Sequence, residues 1–405
     1  MNTGMAVSTP SIATVSETNR SRIMKHLYHQ GVSSRAQIAK ALHLTPAAIT
    51  KITARLIEAG VIEETGDMEG SKNRRSIGLA LDPARFHVVG VKFARSLVQI
   101  GVFALDGASL SLETLPTVTE DTIDATVALI HERIGDLIAR DRAIVAVGMA
   151  VPGPYLRASG RTAVVSSMQG WRKVNFIEEF SDAFGVPVFV EQDARAGALA
   201  HHLFDERTHR EDTLAYYLVG EGVGLGVIDH GMVINGALGA ATEIGHVSID
   251  VNGRPCDCGN IGCLERYCST PAIHAMLIED GALVPGAWRM THTEACRRLF
   301  DLAKGGNARA AGMVREIARY VGYGCVTILN AFNPSRIIIG DIVSEAGEAF
   351  LDQVRATVAE RAIPVLNETT TITLSTMPTD AAVAGAAAVA ITQFLDHPSM
   401  FFDVA

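Results

Sequence analysis

The segment that most restricts what this chain can become runs from residue 243 to 268 and reads EIGHVSIDVNGRPCDCGNIGCLERYC. It holds His246, Cys256, Cys258 and Cys263, three thiols and an imidazole, with glycines at 253, 259 and 262 that let a short loop fold back on itself. That donor set suits zinc. A Cys3His shell fills every position of a tetrahedral Zn2+, so the metal would be structural, holding the loop in shape, and would not activate water. Four of the six cysteines lie within thirteen residues, with Cys268 as the spare that could replace one of the three. No secretory pattern precedes them, so a disulfide framework is disfavoured. Glu243 and Glu265 flank the loop. They either buttress it or, held at fixed positions, accept hydrogen bonds from the hydroxyls of a polar ligand.

Charge separates the chain into two parts. Between Thr18 and Ala80 there are ten Lys/Arg against five Asp/Glu, although the whole chain carries −9. A basic head on an acidic body implies a polyanionic partner for the head alone. Residues 1–17, rich in Ser, Thr and Ala, read as a disordered tail, and 18–82 as a DNA-binding domain. Within it, Ile23, Leu27 and Tyr28 mark a first helix stopped by Gly31. Ser34 and Gln37 form a capping-box pattern before a second, and Thr45-Pro46 open a third that places Ile49, Ile52 and Leu56 on one face up to Gly60. The short link between the last two is a helix-turn-helix. Its second helix would enter the major groove of a double-stranded DNA operator with Thr45, Ala47, Ala48, Thr50, Lys51 and Arg55, assisted by Arg35. Val61–Glu64 and Ser76–Leu81 read as the strands of a wing whose tip carries Arg74 and Arg75 for phosphate or minor groove. A generic helical subdomain is the competing reading, and the coincidence of caps, charge and wing argues against it.

From His87 the pattern changes to apolar strands alternating with helices, an α/β body. The run GHVSIDVNGRPCDCGNIGCLE, residues 245–265, resembles the signature of the ROK family (repressors, open reading frames and sugar kinases), and a weaker similarity extends over residues 18–395. The resemblance implies a winged helix-turn-helix followed by a two-lobed, actin-like sugar-kinase body. The expected lobes are 83–200 with the C-terminal helix 380–396, and 201–379 with the zinc loop. It also implies a sugar site: Asp193 in VFVEQDARAGALA stands where the family has the base that accepts a sugar proton, Gln192 where Asn is usual, and Glu243, His246 and Glu265 at other sugar contacts. Ser167 in VVSSMQGW falls on a family Asn. A helix N-cap is the alternative role for Asp193.

The same comparison implies loss of the nucleotide half. The kinases need a glycine-rich DxGGT turn whose carboxylate holds Mg2+ and whose bare backbone approaches ATP. Here that place reads Lys92-Phe93-Ala94-Arg95-Ser96, and the family's later GGG reads Gly340-Asp341-Ile342. The glycine run Gly220–Gly226 persists and is weak evidence by itself. The expectation is therefore a sugar-responsive, DNA-binding transcriptional regulator of carbohydrate metabolism, a repressor without enzymatic activity. It would act in the cytoplasm as a homodimer or homotetramer, with no membrane association. The alternative is an active ATP-dependent sugar kinase with an accessory DNA-binding head. Three carboxylates in one pocket favour a neutral sugar over a phosphosugar, and Lys92 and Arg95 keep open an anion at the old phosphate position.

Overall fold

The computed structural model describes residues 12–68, 76–163, 169–205, 207, 213–377 and 381–404. Arg74 and Arg75 of the wing tip, and Ser167, lie outside them. The chain divides into two compact units, Met1–His87 with Ala390–Ala405, and Val88–Val389.

Among its described residues the first unit holds the helices Ile12–Gln30, Arg35–Leu42 and Pro46–Glu58, the end of a C-terminal helix, and a three-stranded sheet of Ser33–Ser34, Ser76–Ala80 and Glu63–Met68 in that order. Local chemistry sets the helix ends. Ser34 and Gln37 form the capping box, Thr45 accepts from the Ala48 amide at 3.3 Å, and Gly31 and Gly60 take φ of 68° and 69°, which favours glycine. Ile23, Met24, Leu27, Ile38, Ile49 and Leu56 fill the core between the helices. Two expectations differ here. The first helix begins at Ile12, inside the stretch read as a disordered tail, because Glu17 accepts from the Ser399 amide and hydroxyl at 3.1 and 2.8 Å, a partner no local pattern announces. The wing strand starts at Glu63, since Val61 and Ile62 turn inward and are buried.

The second unit carries two five-stranded sheets of the same topology. In the first, the spatial order is Val188–Gln192, Ile144–Val151, His87–Phe93, Val98–Ala104, Ser109–Thr114. In the second it is Thr371–Leu374, Arg336–Gly340, Thr213–Val219, Val223–Asp229, Met232–Val233. Numbered along the chain, both read 5-4-1-2-3, so one strand plan is used twice. The central strands are apolar runs buried on both faces, as expected of sheets covered by helices. Phe93, Trp171, Phe176 and Phe180 form an aromatic core under the first sheet. Under the second, the 25-residue helix Ala308–Phe332, capped by Asn307, buries a helical stripe including Val314, Ile317, Val321 and Ile328.

The helix Asp193–Phe204, assigned in advance to the first lobe, also packs on the second sheet. Its small residues allow this: a Cβ on Gly226 would come 2.3 Å from the Ala194 carbonyl oxygen, and one on Gly197 2.4 Å from the Tyr216 ring. The C-terminal helix Ala381–Asp396, also assigned to the first lobe, is divided at Ala390 between the two units. In the first unit its end contributes Phe394 to a cluster with Phe86, Phe401 and Phe402, contacts that only the fold creates.

Candidate functional site

The third helix, Pro46–Glu58, buries Ile49, Ile52, Thr53 and Leu56 and exposes Ala47, Thr50, Lys51 and Arg55 together with its cap Thr45, with Ala48 half-buried. Some of these side chains are already engaged. The Thr50 hydroxyl donates to the Pro46 carbonyl at 2.8 Å and Arg55 lies 3.2 Å from Glu58. Arg35 donates to Thr53 at 3.2 Å and pairs with Glu64 at 2.8 Å, so it braces the second and third helices against the wing strand.

In the body, residues of both lobes line one cavity of about 810 Å3, among them Gln192, Asp193, Glu243, His246 and Glu265. Gln192, not Asp193, caps the helix: its Oε1 accepts from the Arg195 amide at 2.9 Å. Asp193 therefore stands at the first helical position, where the positive end of the helix favours its carboxylate. Behind it the buried Arg195 is held by Glu191 at 2.8 Å and donates to the Ala241 carbonyl at 3.2 Å, tying this helix to the loop that carries Glu243.

Glu243 is strongly perturbed. Burial, with Asp193 and Glu265 adding to it and Arg195 opposing, pushes its carboxyl up to about 7. Its Oε1 is buried without a hydrogen-bond partner. Glu265 is 7 % exposed and its Oε2 accepts from the Val223 amide at 3.4 Å, 3.8 Å from the Arg95 guanidinium. Arg95 belongs to the turn after the first strand. Its amide donates to Glu221 at 3.0 Å and its carbonyl accepts from Trp171 at 3.1 Å, so Glu221 and Glu265 of the second lobe clasp a turn of the first.

The loop after Glu243 brings His246, Cys256, Cys258 and Cys263 together, with all four donor atoms within 4.8 Å of one another. Cys256 Sγ is 3.7 Å from His246 Nδ1 and Cys258 Sγ 3.7 Å from Cys263 Sγ. A tetrahedral ion with bonds of about 2.3 Å to sulfur needs an edge of about 3.8 Å, which these separations meet. Burial, and then the neighbouring thiols, push Cys263 up to about 12, a cost that a bound cation removes. Cys268, the spare donor, stays apart in the core with Cys296 and Cys325. His246 lines the cavity while its Nδ1 faces the cluster, so one imidazole belongs to both.

The cavity wall contains residues the sequence did not single out: Thr270, Met290, Thr291 and Glu345, besides Glu221. Thr270 begins the helix Thr270–Asp280, and the Ser-Thr-Pro run at 269–271 marks that helix start without marking a site.

A winged helix-turn-helix preceding a two-lobed body with a carboxylate-lined cleft defines a sugar-kinase-like protein equipped to bind DNA. The ROK family profile matches residues 88–393, and a winged helix-turn-helix DNA-binding profile matches residues 17–63. The chain belongs to the ROK family. It is 29% identical over 370 residues to the DNA-binding transcriptional dual regulator NagC of Escherichia coli, covering 90% of each chain. It is 26% identical over 393 residues to the xylose repressor of Caldicellulosiruptor bescii, covering 94% of this chain and 97% of that one. Among solved structures, a ROK family transcriptional regulator homologous to E. coli MLC superposes with a TM-score of 0.79 at 27% identity, over 95% of this chain and 98% of that one. A ROK family glucokinase from Streptomyces griseus, in complex with glucose and AMPPNP, matches at 0.64 and 25% identity over 75% of this chain and 99% of that one. Repressors match nearly end to end, and this kinase matches only three quarters of the chain.

Proposed function

We propose that this protein is a transcriptional repressor of carbohydrate metabolism whose DNA affinity is set by a sugar bound in the body. Gln192, Asp193, Glu243, His246 and Glu265 would hold the sugar, and Thr45, Ala47, Ala48, Thr50, Lys51 and Arg55, with Arg74 and Arg75 of the wing, would read the operator. The observation that carries the sugar site is the buried, unpartnered Glu243 Oε1 beside Asp193 and Glu265 in one cavity, an acceptor awaiting a hydroxyl. Ser167 is retained in this proposal from the family pattern alone.

Zinc held by His246, Cys256, Cys258 and Cys263 would be structural. Bound there, it neutralises three clustered thiols and fixes the loop that runs from Glu243 to Glu265. Glu243 precedes the first ligand by three residues and Glu265 follows the last by two, so the chain itself ties the sugar's acceptors to the metal loop. The regulator would work in the cytoplasm as a homodimer or homotetramer, because paired heads read paired half-sites. Sugar would act by binding one arrangement of the lobes more tightly than another.

Kinase activity is not part of this proposal. Lys92 occupies the place of the magnesium-binding acid, and the Asp341 carboxylate lies where a Cβ on Gly220 would meet it at 2.6 Å. The test is a mobility-shift titration of operator DNA with a panel of sugars, run beside a coupled ADP-release assay. Operator affinity that changes with one sugar, with no ADP release, supports the reading. Operator affinity indifferent to every sugar that binds removes the regulatory claim, and enzyme-like turnover installs the kinase in its place.

A further inference from the structure

The cavity is larger than the cluster Gln192, Asp193, Glu243 and Glu265 requires. Its volume of about 810 Å3 lies in the upper part of the roughly 300–1,000 Å3 that house compact organic ligands, and is several times the bulk of one pyranose ring. Beyond the turn Gly220–Val223 the wall continues through Thr270, Met290, Asp341 and Ser344. In an active kinase of this family the resemblance would put nucleotide there. The chemistry present is different.

This far half offers little to a phosphate. Arg297 is engaged by Glu345 through Nε at 2.9 Å and Nη2 at 2.8 Å, and Arg95 by Glu265 at 3.8 Å. The two outer amides of the turn are used internally: Gly220 donates to the Gly222 carbonyl at 2.9 Å and Val223 to Glu265 at 3.4 Å. An incoming anion would instead meet the like charge of Glu221 and Asp341. Neutral hydroxyls would find acceptors.

One group in this half asks for such a partner. Thr270 is 1 % exposed, its Oγ1 has no hydrogen-bond partner, and its amide donates to the Gly220 carbonyl at 2.8 Å. A buried, unsatisfied hydroxyl in a cavity wall points to a ligand group, as Glu243 Oε1 does beyond the other end of the same turn. Asp341 faces the turn from the opposite side, with its backbone at φ 66° and ψ −160°, a region that strongly favours glycine. That conformation holds its carboxylate against Gly220, and its Oδ1 accepts from the Ile342 amide at 2.5 Å.

We propose that the effector is a disaccharide: one ring sits among Gln192, Asp193, Glu243 and Glu265, and the second crosses the Gly220–Val223 turn to meet Thr270 and Asp341. This rests on the reading that the cavity binds sugar, and it names the class of sugar. The two rings explain why two unsatisfied oxygens stand in one cavity.

The test is calorimetric titration of the full-length, zinc-loaded protein. The ligands are cellobiose, maltose, lactose, xylobiose and diacetylchitobiose, their constituent monosaccharides, glucose 6-phosphate and AMPPNP. At least one disaccharide should bind about tenfold or more tightly than either of its constituents. Thr270→Val, which removes the hydroxyl and keeps the shape, should bring that ratio close to one while leaving monosaccharide affinity in place. Asp341→Asn should shrink the same ratio and serves as the second variant if Thr270→Val folds poorly. Monosaccharides that bind as tightly as every disaccharide overturn the inference and spare the sugar reading. Tighter binding of glucose 6-phosphate or AMPPNP overturns it in favour of an anion site, and no saccharide binding at all overturns the inference and the reading beneath it.

Discussion

Replacing Glu243 by Gln should make the unliganded protein less sensitive to pH while weakening its grip on sugar. The carboxyl rises from 4.5 to about 7 in the fold, chiefly through burial. At about 1.36 kcal/mol per unit, that shift is worth at most about 3 kcal/mol. Its sign follows from proton counting. Between pH 4.5 and about 7 the unfolded chain has released the proton that the folded chain retains, so stability falls as pH rises through this window and levels off above it. Glu243→Gln removes that slope. Thermal unfolding without sugar, at pH 5 and pH 8 with zinc saturating, should show the wild type losing several degrees more than the variant, since 1 kcal/mol moves Tm by roughly 2–4 °C in a domain of this order of size. With sugar at pH 8, the variant should bind roughly tenfold to a hundredfold more weakly, the worth of a charge-assisted hydrogen bond of about 1.5–3 kcal/mol. Parallel pH curves for the two proteins would refute the buried-acid argument, and unchanged sugar affinity would refute the acceptor role.

Cys258→Ser should lower bound zinc from about one per chain, by elemental analysis, and weaken sugar binding at least about tenfold, about 1.4 kcal/mol, because Glu243 and Glu265 lose their common support. Lys51→Ala should weaken operator binding and reduce the salt-dependence slope by about one, with sugar affinity unchanged; an unaltered slope would place Lys51 off the phosphates. The buried His201, lowered to about 4 by burial, should add acid sensitivity of the opposite sign to Glu243. Its neutral form is kept in the fold, so its contribution is full above pH 6.5 and declines as pH falls toward 4. Urea unfolding at pH 7 and pH 4.5 should therefore show a smaller acid loss in His201→Asn than in the wild type, and equal losses would count against it.

Some parts of this molecule were written locally, others were not. The helix-turn-helix was legible because a capping box at Ser34, a Thr45 cap and a proline at the first helical position are chemistry within four residues, and the structure forms each of them. The cysteine–histidine cluster was legible for the same reason: its four donors fall within eighteen residues, His246 to Cys263. The start of the first helix was not, because Glu17 is tied down by Ser399, more than 380 residues away. Thr270 was invisible as well. A threonine opening a helix is ordinary, and it becomes notable only when the fold buries its hydroxyl beside the glycine turn with nothing to bond. Glu191, in the sequence only part of VFVEQDARAGALA, holds the buried Arg195 behind Asp193.

The two halves of the cavity have diverged by different physics. In the half lined by Gln192 and Asp193 the change from family pattern is small: Gln192 keeps an amide side chain, and that side chain caps the helix on which Asp193 stands. In the other half Arg95 and Asp341 put bulk and charge where the family pattern has glycine. Asp341 occupies a backbone conformation costing about 1–3 kcal/mol for a residue with a side chain. A fold keeps such strain where the side chain's position matters, and here the position is against Gly220. Arg95 brings its own cation to Glu265 and its amide to Glu221, so the clasp between lobes is made by the protein's own groups. Under the proposed function, an internal clasp would respond to sugar without waiting for ATP. That independence is what a regulator needs and a kinase does not, because the signal it reports is the presence of one ligand and not the joint presence of two.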